Sequence, residues 1–203
     1  MDILDYIYRR FDLTGDEESP IQLPGLHRQD FDKLLGDLEL NEGCEVGVLE
    51  GLHAKSMLDA NPNLHLHLVD CYYFYKEMPP QPRKLGMEDY LVQMRERLTG
   101  CNYTEHIMFS MEAINEFEDE SLDFVYIDSN HQFDFVMRDI IEWNRKVRIG
   151  GIVAGHDYKS QKTIGVNQAV NVYLEAHNIC PVFTTTKKKS YPDSTRTFFW
   201  VKE

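Results

Sequence analysis

The sequence is poor in basic residues. Of its 203 residues, 21 are Lys or Arg and 34 are Asp or Glu, so the formal net charge at pH 7 is −13. Proteins that bind nucleic acid or anionic membranes nonspecifically normally carry a basic face. The only basic cluster, the three lysines at 187–189, is predicted to be a solvated turn between two late strands. We therefore expect no nucleic-acid partner and no membrane partner.

Cysteine is also scarce, and long apolar runs are missing. The cysteines, Cys44, Cys71, Cys101 and Cys180, lie far apart and form no CxxC pair, so we expect free thiols and no zinc site. No hydrophobic leader opens the chain, and no segment approaches the ~18 apolar residues that a membrane span requires. These absences predict a cytoplasmic protein. They leave the oligomeric state open, a homo-oligomer included.

The length of the chain favours one well-filled core. A domain of roughly 150 residues already buries about two thirds of its unfolded surface. The first residues have helical spacing, but residues 12–28 contain two glycines and two prolines and are typical of a loop. We predict a helix-and-loop appendage over residues 1–28 and one domain over residues 29–203.

The segment from residue 44 to residue 70 alternates strand, helix and strand. Residues 44–49 form a short apolar run that ends in a Glu-Gly turn, and residues 64–70 form a second strand-like run. The helix between them must stop before Pro62, because proline denies it a backbone donor. This arrangement predicts a parallel pair of strands with a right-handed crossover.

The alternation continues toward the C-terminus. Further strands are predicted at 106–110, 122–128 and 151–155, and helices at 31–38, 86–99, 131–147 and 163–177. The last two β-like runs, 182–186 and 197–201, leave no room for a helix between them and should pair antiparallel. The predicted class is α/β: a Rossmann-like, doubly wound, mainly parallel seven-stranded sheet with a C-terminal antiparallel hairpin.

Three strand ends carry residues that fit a nucleoside cofactor, because ligands of open α/β sheets bind beyond the carboxyl ends of the strands. The turn after the first strand contains Glu45, Gly47 and Gly51, and its glycines let a ligand approach the backbone. Asp70 ends the second strand, where a carboxylate can accept both ribose hydroxyls. Residues 110–112 are expected to end the third strand, where an adenine ring would lie.

A nicotinamide dinucleotide is the main alternative cofactor. Its fingerprint, G-x-G-x-x-G, is missing from this turn, and Glu50 would repel a pyrophosphate. A turn that carries carboxylates suits the positive sulfonium and ammonium groups of S-adenosylmethionine. We therefore expect S-adenosylmethionine rather than a dinucleotide.

A second cluster lies at the ends of the fourth and fifth strands. Asp128 and His131 follow one strand, and His156 and Asp157 end the other. Neighbouring parallel strands are ~4.8 Å apart, so these side chains can converge, and carboxylate oxygens suit Mg²⁺. A divalent ion there would lower the pKa of a substrate hydroxyl. The alternative is that both aspartates only cap local turns, although the repeated Asp and His pair favours a functional site.

His65 and His67 place two imidazoles on one face of a strand, as some metal sites require. No third ligand is apparent from the sequence, and both residues lie within the strand rather than at its end. We interpret them as packed or surface histidines without a metal role.

The stretches 44–70, 123–131 and 150–158 resemble class I S-adenosylmethionine-dependent methyltransferases of the methyltransferase 24 type, which are akin to metal-dependent sugar O-methyltransferases. The resemblance covers roughly residues 40–203. It implies that the donor is held by the residues Glu45, Gly47, Gly51, Asp70, Met111, Glu112 and Asp128. It further implies that Asp128 and Asp157 bind a metal ion with His156 beside them, and that His131 takes the proton of the acceptor hydroxyl. One departure is Leu52-His53, where many relatives have small hydroxyl residues.

The aromatic segment 71–82 follows Asp70 directly and can be a substrate wall, a lid, a subunit contact or simple packing. The preferred acceptor is a hydroxyl group on a sugar or another small polar metabolite. Two alternatives stay open: a donor-binding module without catalysis and a nicotinamide-dependent dehydrogenase.

Overall fold

The structure is a computed structural model that describes residues 2–78, 85–158, 164–186 and 196–203. Within these residues the chain forms eight strands in one sheet, and the strand order is β1-β7-β8-β6-β5-β2-β3-β4. The strands are β1 (Ile21–Gln22), β2 (Glu42–Val46), β3 (His65–Val69), β4 (Tyr103–His106), β5 (Leu122–Ile127), β6 (Val147–Tyr158), β7 (Phe183–Thr184) and β8 (Arg196–Val201).

The helices cover both faces of the sheet, as the nearly continuous apolar strands require. They are α1 (Ile3–Arg10), α2 (Arg28–Asp37), α3 (Leu52–Ala60), α4 (Met87–Arg97), α5 (Ser110–Ala113), α6 (Phe133–Lys146) and α7 (Ile164–His177), and a 3₁₀ turn follows α5 at Ile114–Glu116. Buried side chains of α1 to α4 share one core, and those of α5 to α7 share the other. On β5, Phe124 and Tyr126 face the first core, while Val125 and Ile127 face the second. This confirms the doubly wound α/β fold.

The parallel part of the sheet reverses its strand order between β2 and β5. From β2 the chain proceeds outward through β3 to β4, and it then returns to place β5 on the other side of β2. Such a switch point opens a crevice at the carboxyl ends of the strands. At the far end, β8 pairs antiparallel with both β6 and β7, as the last two β-like runs predicted.

Two expectations about strands need correction. The strand predicted at 106–110 instead lies at Tyr103–His106, and Ser110–Ala113 is a short helix. The apolar residues at 107–109 resemble a strand in the sequence, but Met108 packs against the second core from the loop after β4. Residues 12–28 are also not all loop, because Ile21–Gln22 forms an eighth strand parallel to β7.

Three further expectations concern the N-terminal segment, the lysine cluster with the aromatic segment, and membrane-spanning helices. Apolar residues of α1 and β1, among them Ile7 and Ile21, belong to the same core as the rest of the first layer. The lysines at 187–189 lie outside the described residues, as do residues 79–82 of the aromatic segment. Over the part of the chain that the structure describes, no helix is long and apolar enough to cross a bilayer.

Candidate active site

A cavity of about 660 Å³ opens at the carboxyl ends of β2, β3 and β5. This is the size range of small-molecule sites in proteins. Its lining includes seven of the residues expected from the sequence: Glu45, Gly47, Asp70, Met111, Glu112, Asp128 and His131. The residues expected to contact a nucleoside therefore line the same cavity as Asp128 and His131 of the second cluster.

The turn after β2 depends on glycine for steric reasons. Gly47 has a φ of 94°, and a Cβ there would lie 2.3 Å from the carbonyl oxygen of Asp128. Gly51 has a φ of 71°, precedes α3, and would bring a Cβ to 2.9 Å from Met94. Positive φ angles are inexpensive for glycine alone. Gly47 thus lets the end of β5 approach the cavity, whereas Gly51 lets α3 pack on α4.

Asp70 organises this turn from the next strand. One carboxylate oxygen accepts hydrogen bonds from the backbone N–H groups of Val48 and Leu49, each at 3.0 Å, and the other accepts from Tyr72 at 3.1 Å. The Tyr72 hydroxyl donates to the Leu49 carbonyl at 2.7 Å. An ionised carboxylate has about four acceptor positions, so three backbone bonds leave roughly one for a ligand hydroxyl.

A buried charge network lies beneath the turn. His53 is placed between Glu45 and Asp32, at 2.8 Å from Glu45 Oε1 and 3.0 Å from Asp32 Oδ1. Burial alone would lower the pKa of His53, but the carboxylates outweigh burial and raise it, which favours the protonated imidazole. Burial raises the pKa of Glu45, and the interaction with His53 opposes that effect. His53 was seen in the sequence only as a departure from relatives, because Asp32 lies 21 residues away on α2.

Unlike Oε1, which lies 2.8 Å from His53, the second carboxylate oxygen of Glu45 pairs with none of the described residues. Oε2 is buried and, among the described residues, has no hydrogen-bond donor, although Glu45 lines the cavity. A buried unpaired carboxylate oxygen costs free energy unless a cation or donor reaches it. This oxygen therefore fits the ammonium group of an amino-acid moiety bound in the cavity.

The opposite wall is formed by α5 and α6. Asp139 on α6 accepts hydrogen bonds from the hydroxyls of Ser110 and Ser129, and the indole N–H of Trp143 donates to Ser110 Oγ at 2.8 Å. Burial raises the pKa of Asp139 to about 6. Glu112 uses one oxygen to accept the Phe109 N–H at 3.2 Å. Asp139 escaped the sequence interpretation because its position within a helix resembles an ordinary surface carboxylate.

The four residues at the ends of β5 and β6 converge as expected. His131 Nε2 lies 3.4 Å from Asp128 Oδ1, and His131 Nδ1 lies 3.1 Å from Asp157 Oδ2. His156 Nδ1 lies 3.6 Å from a carboxylate oxygen of each aspartate. Asp128, His131 and Asp157 each offer a ligand atom within 4.8 Å of the others, which is the spacing of a metal-binding group.

A bulge in β6 makes this convergence possible. Consecutive residues of a regular strand point to opposite faces, so His156 and Asp157 would normally diverge. The register between β6 and β8 shifts between Gly155 and Tyr158, and Asp157 has a φ of 62°. Left-handed backbone at a residue other than glycine is rare and clusters at functional sites, where neighbouring structure holds it in place.

Electrostatics in this cluster favour the ionised aspartate. Burial would raise the pKa of Asp128, but His156, His131 and Arg28 outweigh burial and hold the pKa well below its usual range. Burial would likewise lower the pKa of His131, yet the interactions with Asp128 and Asp157 raise it. Arg28 was not expected from the sequence. Its guanidinium Nη2 donates to Asp128 Oδ2 at 3.3 Å from the start of α2.

The first part of the aromatic segment covers the cavity. The amide of Asn130 donates to the hydroxyl of Tyr75 at 3.1 Å and to the carbonyl of Glu77 at 3.2 Å. The ring of Tyr75 lies 5.2 Å from that of Phe109, whereas Phe74 is largely exposed. These contacts tie the segment to the loop that carries Asp128 and His131.

The middle of the chain is similar to a known protein family. A family model described as a methyltransferase domain matches residues 44–158, which is more than half of the chain. No curated protein sequence matches the chain.

Two solved structures illustrate the likeness of fold. The O-methyltransferase TomG from Streptomyces achromogenes, involved in tomaymycin synthesis and solved with S-adenosylmethionine, is 15% identical, with a TM-score of 0.62 over 100% of this chain and 91% of TomG. An O-methyltransferase from Bacillus cereus, solved with S-adenosylhomocysteine, is 11% identical, with a TM-score of 0.61 over the same shares, 100% and 91%. At these identities the likeness shows the fold alone.

Proposed function

The chain belongs to the methyltransferase domain family, of the class I S-adenosylmethionine-dependent type, and from this premise we propose that it methylates a hydroxyl group of a small molecule with the help of a divalent cation. The observation that carries the proposal is the placement of Asp128, His131 and Asp157 at the edge of the cavity that Glu45 and Asp70 line.

The chain's own residues fit the methyl donor. S-adenosylmethionine supplies an electrophilic methyl group on a sulfonium centre. Glu45 Oε2 is buried and has no hydrogen-bond partner among the described residues, so it suits the donor's ammonium group. The remaining acceptor position of Asp70 suits a ribose hydroxyl. Met111 and Glu112 on α5 are proposed to border the adenine. Gly51 contributes through the packing of α3 rather than as part of the cavity wall.

The carboxylate-histidine cluster fits a divalent cation. A bound cation of this charge stabilises the deprotonated form of a nearby hydroxyl. Asp128 and Asp157 offer hard oxygen donors, so we propose Mg²⁺, and the imidazole of His156 beside them makes Mn²⁺ the alternative. Asp128 also lines the cavity and would face both donor and acceptor.

His131 is the proposed general base. Its side chain is a quarter exposed, lines the cavity and is oriented by two carboxylates. Without a bound cation, the interactions with Asp128 and Asp157 raise the pKa of His131. A base acts in its neutral form, and a cation on these two carboxylates would favour the neutral imidazole. His156 is 8% exposed and is better placed to orient Asp128 and Asp157 than to meet a substrate.

The acceptor is proposed to be a small polar molecule that carries a hydroxyl group. The net charge of −13 disfavours nucleic acid. The exposed aromatic rings beside the cavity give such a molecule an apolar surface to stack on. The cytoplasm is the proposed compartment, consistent with four unpaired cysteines. Residues 29–203 are the proposed catalytic domain, and they contain the whole family match.

A donor-binding module without metal-dependent catalysis is the second candidate. It is favoured by one observation, since Arg28 and the two histidines already pair with Asp128 without any cation. The test is formation of S-adenosylhomocysteine from S-adenosylmethionine with a panel of small hydroxylated acceptors, such as sugars and catechols. We expect turnover that EDTA abolishes and Mg²⁺ or Mn²⁺ restores. Donor binding without turnover of any acceptor would favour the second candidate, and full turnover in EDTA would remove the cation.

A further inference from the structure

A second cluster of histidines lies away from the cavity, near the amino ends of β2 and β3. Glu42 is the first residue of β2 and His65 is the first residue of β3, and the two are direct neighbours in the sheet. His67 follows on the same face of β3. Val46, at the other end of β2, lines the cavity and is four positions along the strand from Glu42, which corresponds to about 13 Å. The cluster is therefore separate from the candidate active site.

The three side chains meet at one carboxylate oxygen. His65 Nδ1 and His67 Nε2 each lie 2.8 Å from Glu42 Oε1. Glu42, His65 and His67 each offer a ligand atom within 4.8 Å of the others. Their side chains are 40%, 30% and 17% exposed, so the group is rigidly backed by the sheet yet open to solvent. The third ligand missing from the sequence interpretation is Glu42, which the sheet register supplies.

The outer nitrogens of both imidazoles are already occupied. His65 Nε2 lies 2.9 Å from the hydroxyl of Thr104, which can accept an N–H from it. His67 Nδ1 lies 2.9 Å from His106 Nε2, and His106 Nδ1 lies 2.5 Å from Glu116 Oε2. Histidines that bind metal commonly have their second nitrogen held in this way, which fixes ring orientation and tautomer.

The hydrogen bonds that run from Glu116 through His106 and His67 to Glu42 lack one proton donor when both histidines are neutral. Because Glu116 can only accept, a neutral His106 must place its proton on Nδ1 and leave Nε2 bare. His67 must then donate from Nδ1 to His106, and its own Nε2 is bare. Two acceptors, His67 Nε2 and Glu42 Oε1, therefore face each other at 2.8 Å unless a proton or a metal ion stands between them.

We propose that Glu42, His65 and His67 form a binding site for a divalent transition-metal ion of the zinc class, distinct from the cation site of the cavity. Two imidazoles and one glutamate form a known zinc ligand set, with a water as the fourth ligand. Imidazole also selects such ions over Mg²⁺. His106 and Glu116 hold His67 from behind, and the ring of Phe117, 4.8 Å from that of His67, forms an apolar wall. Packed or surface histidines without a metal role, as the sequence alone indicates, are the alternative that the experiment distinguishes.

The test uses the full chain with the Asp128→Asn substitution, which disables the other cluster. Co²⁺ serves as the spectroscopic probe and Zn²⁺ as the competitor. We expect one Co²⁺ per chain with the strong visible absorption of tetrahedral coordination, displaced by one equivalent of Zn²⁺. His65→Gln, His67→Gln and Glu42→Gln should each abolish this absorption. His177→Gln, which removes a histidine on α7 that stacks on Tyr173, is the matched control and should retain it.

His106 and Glu116, which hold the outer nitrogen of His67, provide an independent test. Glu116→Gln leaves all three ligands in place, and we expect it to weaken Co²⁺ binding by about tenfold. If His67→Gln fails to fold, the more exposed His65→Gln and Glu42→Gln variants decide the question. Binding of Co²⁺ with equal stoichiometry and spectrum in His65→Gln, Glu42→Gln and the control would overturn the proposal, as would the lack of any tetrahedral Co²⁺ in the parent chain.

Discussion

Asp139 offers a stability prediction whose sign and size both follow from its surroundings. The side chain belongs to α6 and is 4% exposed. Its two oxygens accept hydrogen bonds from Ser110 and Ser129, but burial dominates and raises the pKa from 3.8 to about 6. Replacing Asp139 by Asn keeps the shape and removes the ionisation: the amide oxygen still accepts from one serine hydroxyl, and the NH₂ group donates to the other.

The folded protein holds the Asp139 proton more firmly than the unfolded chain does. Between pH ~4 and ~6 the folded carboxyl is protonated while the unfolded one is ionised, so folding takes up a proton. The stability contributed by this group is complete below the unfolded pKa and is lost as the pH rises through the folded pKa. The displacement from 3.8 to about 6 corresponds to about 3 kcal/mol. The free energy of unfolding of Asp139→Asn should therefore increase, relative to that of the parent protein, by about 3 kcal/mol as the pH rises from 4 to 7.

Urea unfolding of both proteins across this pH range measures the difference, and all other carboxylates cancel in the comparison. Asp119→Asn is the matched control. Asp119 is exposed on the same side of the molecule, and hydrogen bonds from Lys146 and Arg145 lower its pKa, so any trend should be small and opposite in sign. A stability difference between Asp139→Asn and the parent that does not change with pH would refute the reasoning.

Three further predictions concern the buried network and the site. His53→Ala leaves Glu45 and Asp32 buried without their shared cation, and should cost about 3–5 kcal/mol in the free energy of unfolding; a loss below 1 kcal/mol in urea titrations would contradict the assigned network. His131→Gln should lower kcat by about 10²–10⁴-fold while calorimetry shows unchanged donor binding, and near-normal kcat would exclude His131 as the base. In the cation-free protein, an NMR titration of His131 should give a pKa above the ~6.5 of a free imidazole, since Asp128 and Asp157 raise it; a midpoint below pH 6 would be inconsistent with this.

Much of the fold could be predicted because it depends on local patterns. The apolar runs of β2, β3 and β5 and the periodic helices between them fix a parallel doubly wound sheet. The two-residue β1 could not be predicted in this way, since its partner β7 lies about 160 residues away and its own pattern is too short. The helix at Ser110–Ala113 was likewise too short to separate from the strand expected there.

The residues of the candidate site also differ in how far the sequence could predict them. Glu45, Asp70 and Asp128 stand at strand ends, which the topology brings together, so the sequence could point to them. Arg28 and Asp32 reach the site from α2, and their contacts depend on how that helix packs rather than on any motif. Glu42 became a partner of His65 only through the register between β2 and β3. Long-range register and helix packing are what a single sequence does not specify.

Calorimetric titration with S-adenosylhomocysteine tests the central claim most directly, because it needs no acceptor and no metal. We expect binding with a Kd in the micromolar range or tighter, together with no measurable binding of NADH. Asp70→Ala should weaken binding by about 1–3 kcal/mol through lost ribose hydrogen bonds and a loosened turn. Glu45→Gln should weaken it as well, while Glu118→Gln, on the surface away from the cavity, should leave it unchanged. Tight binding of NADH with no heat from S-adenosylhomocysteine would contradict the account.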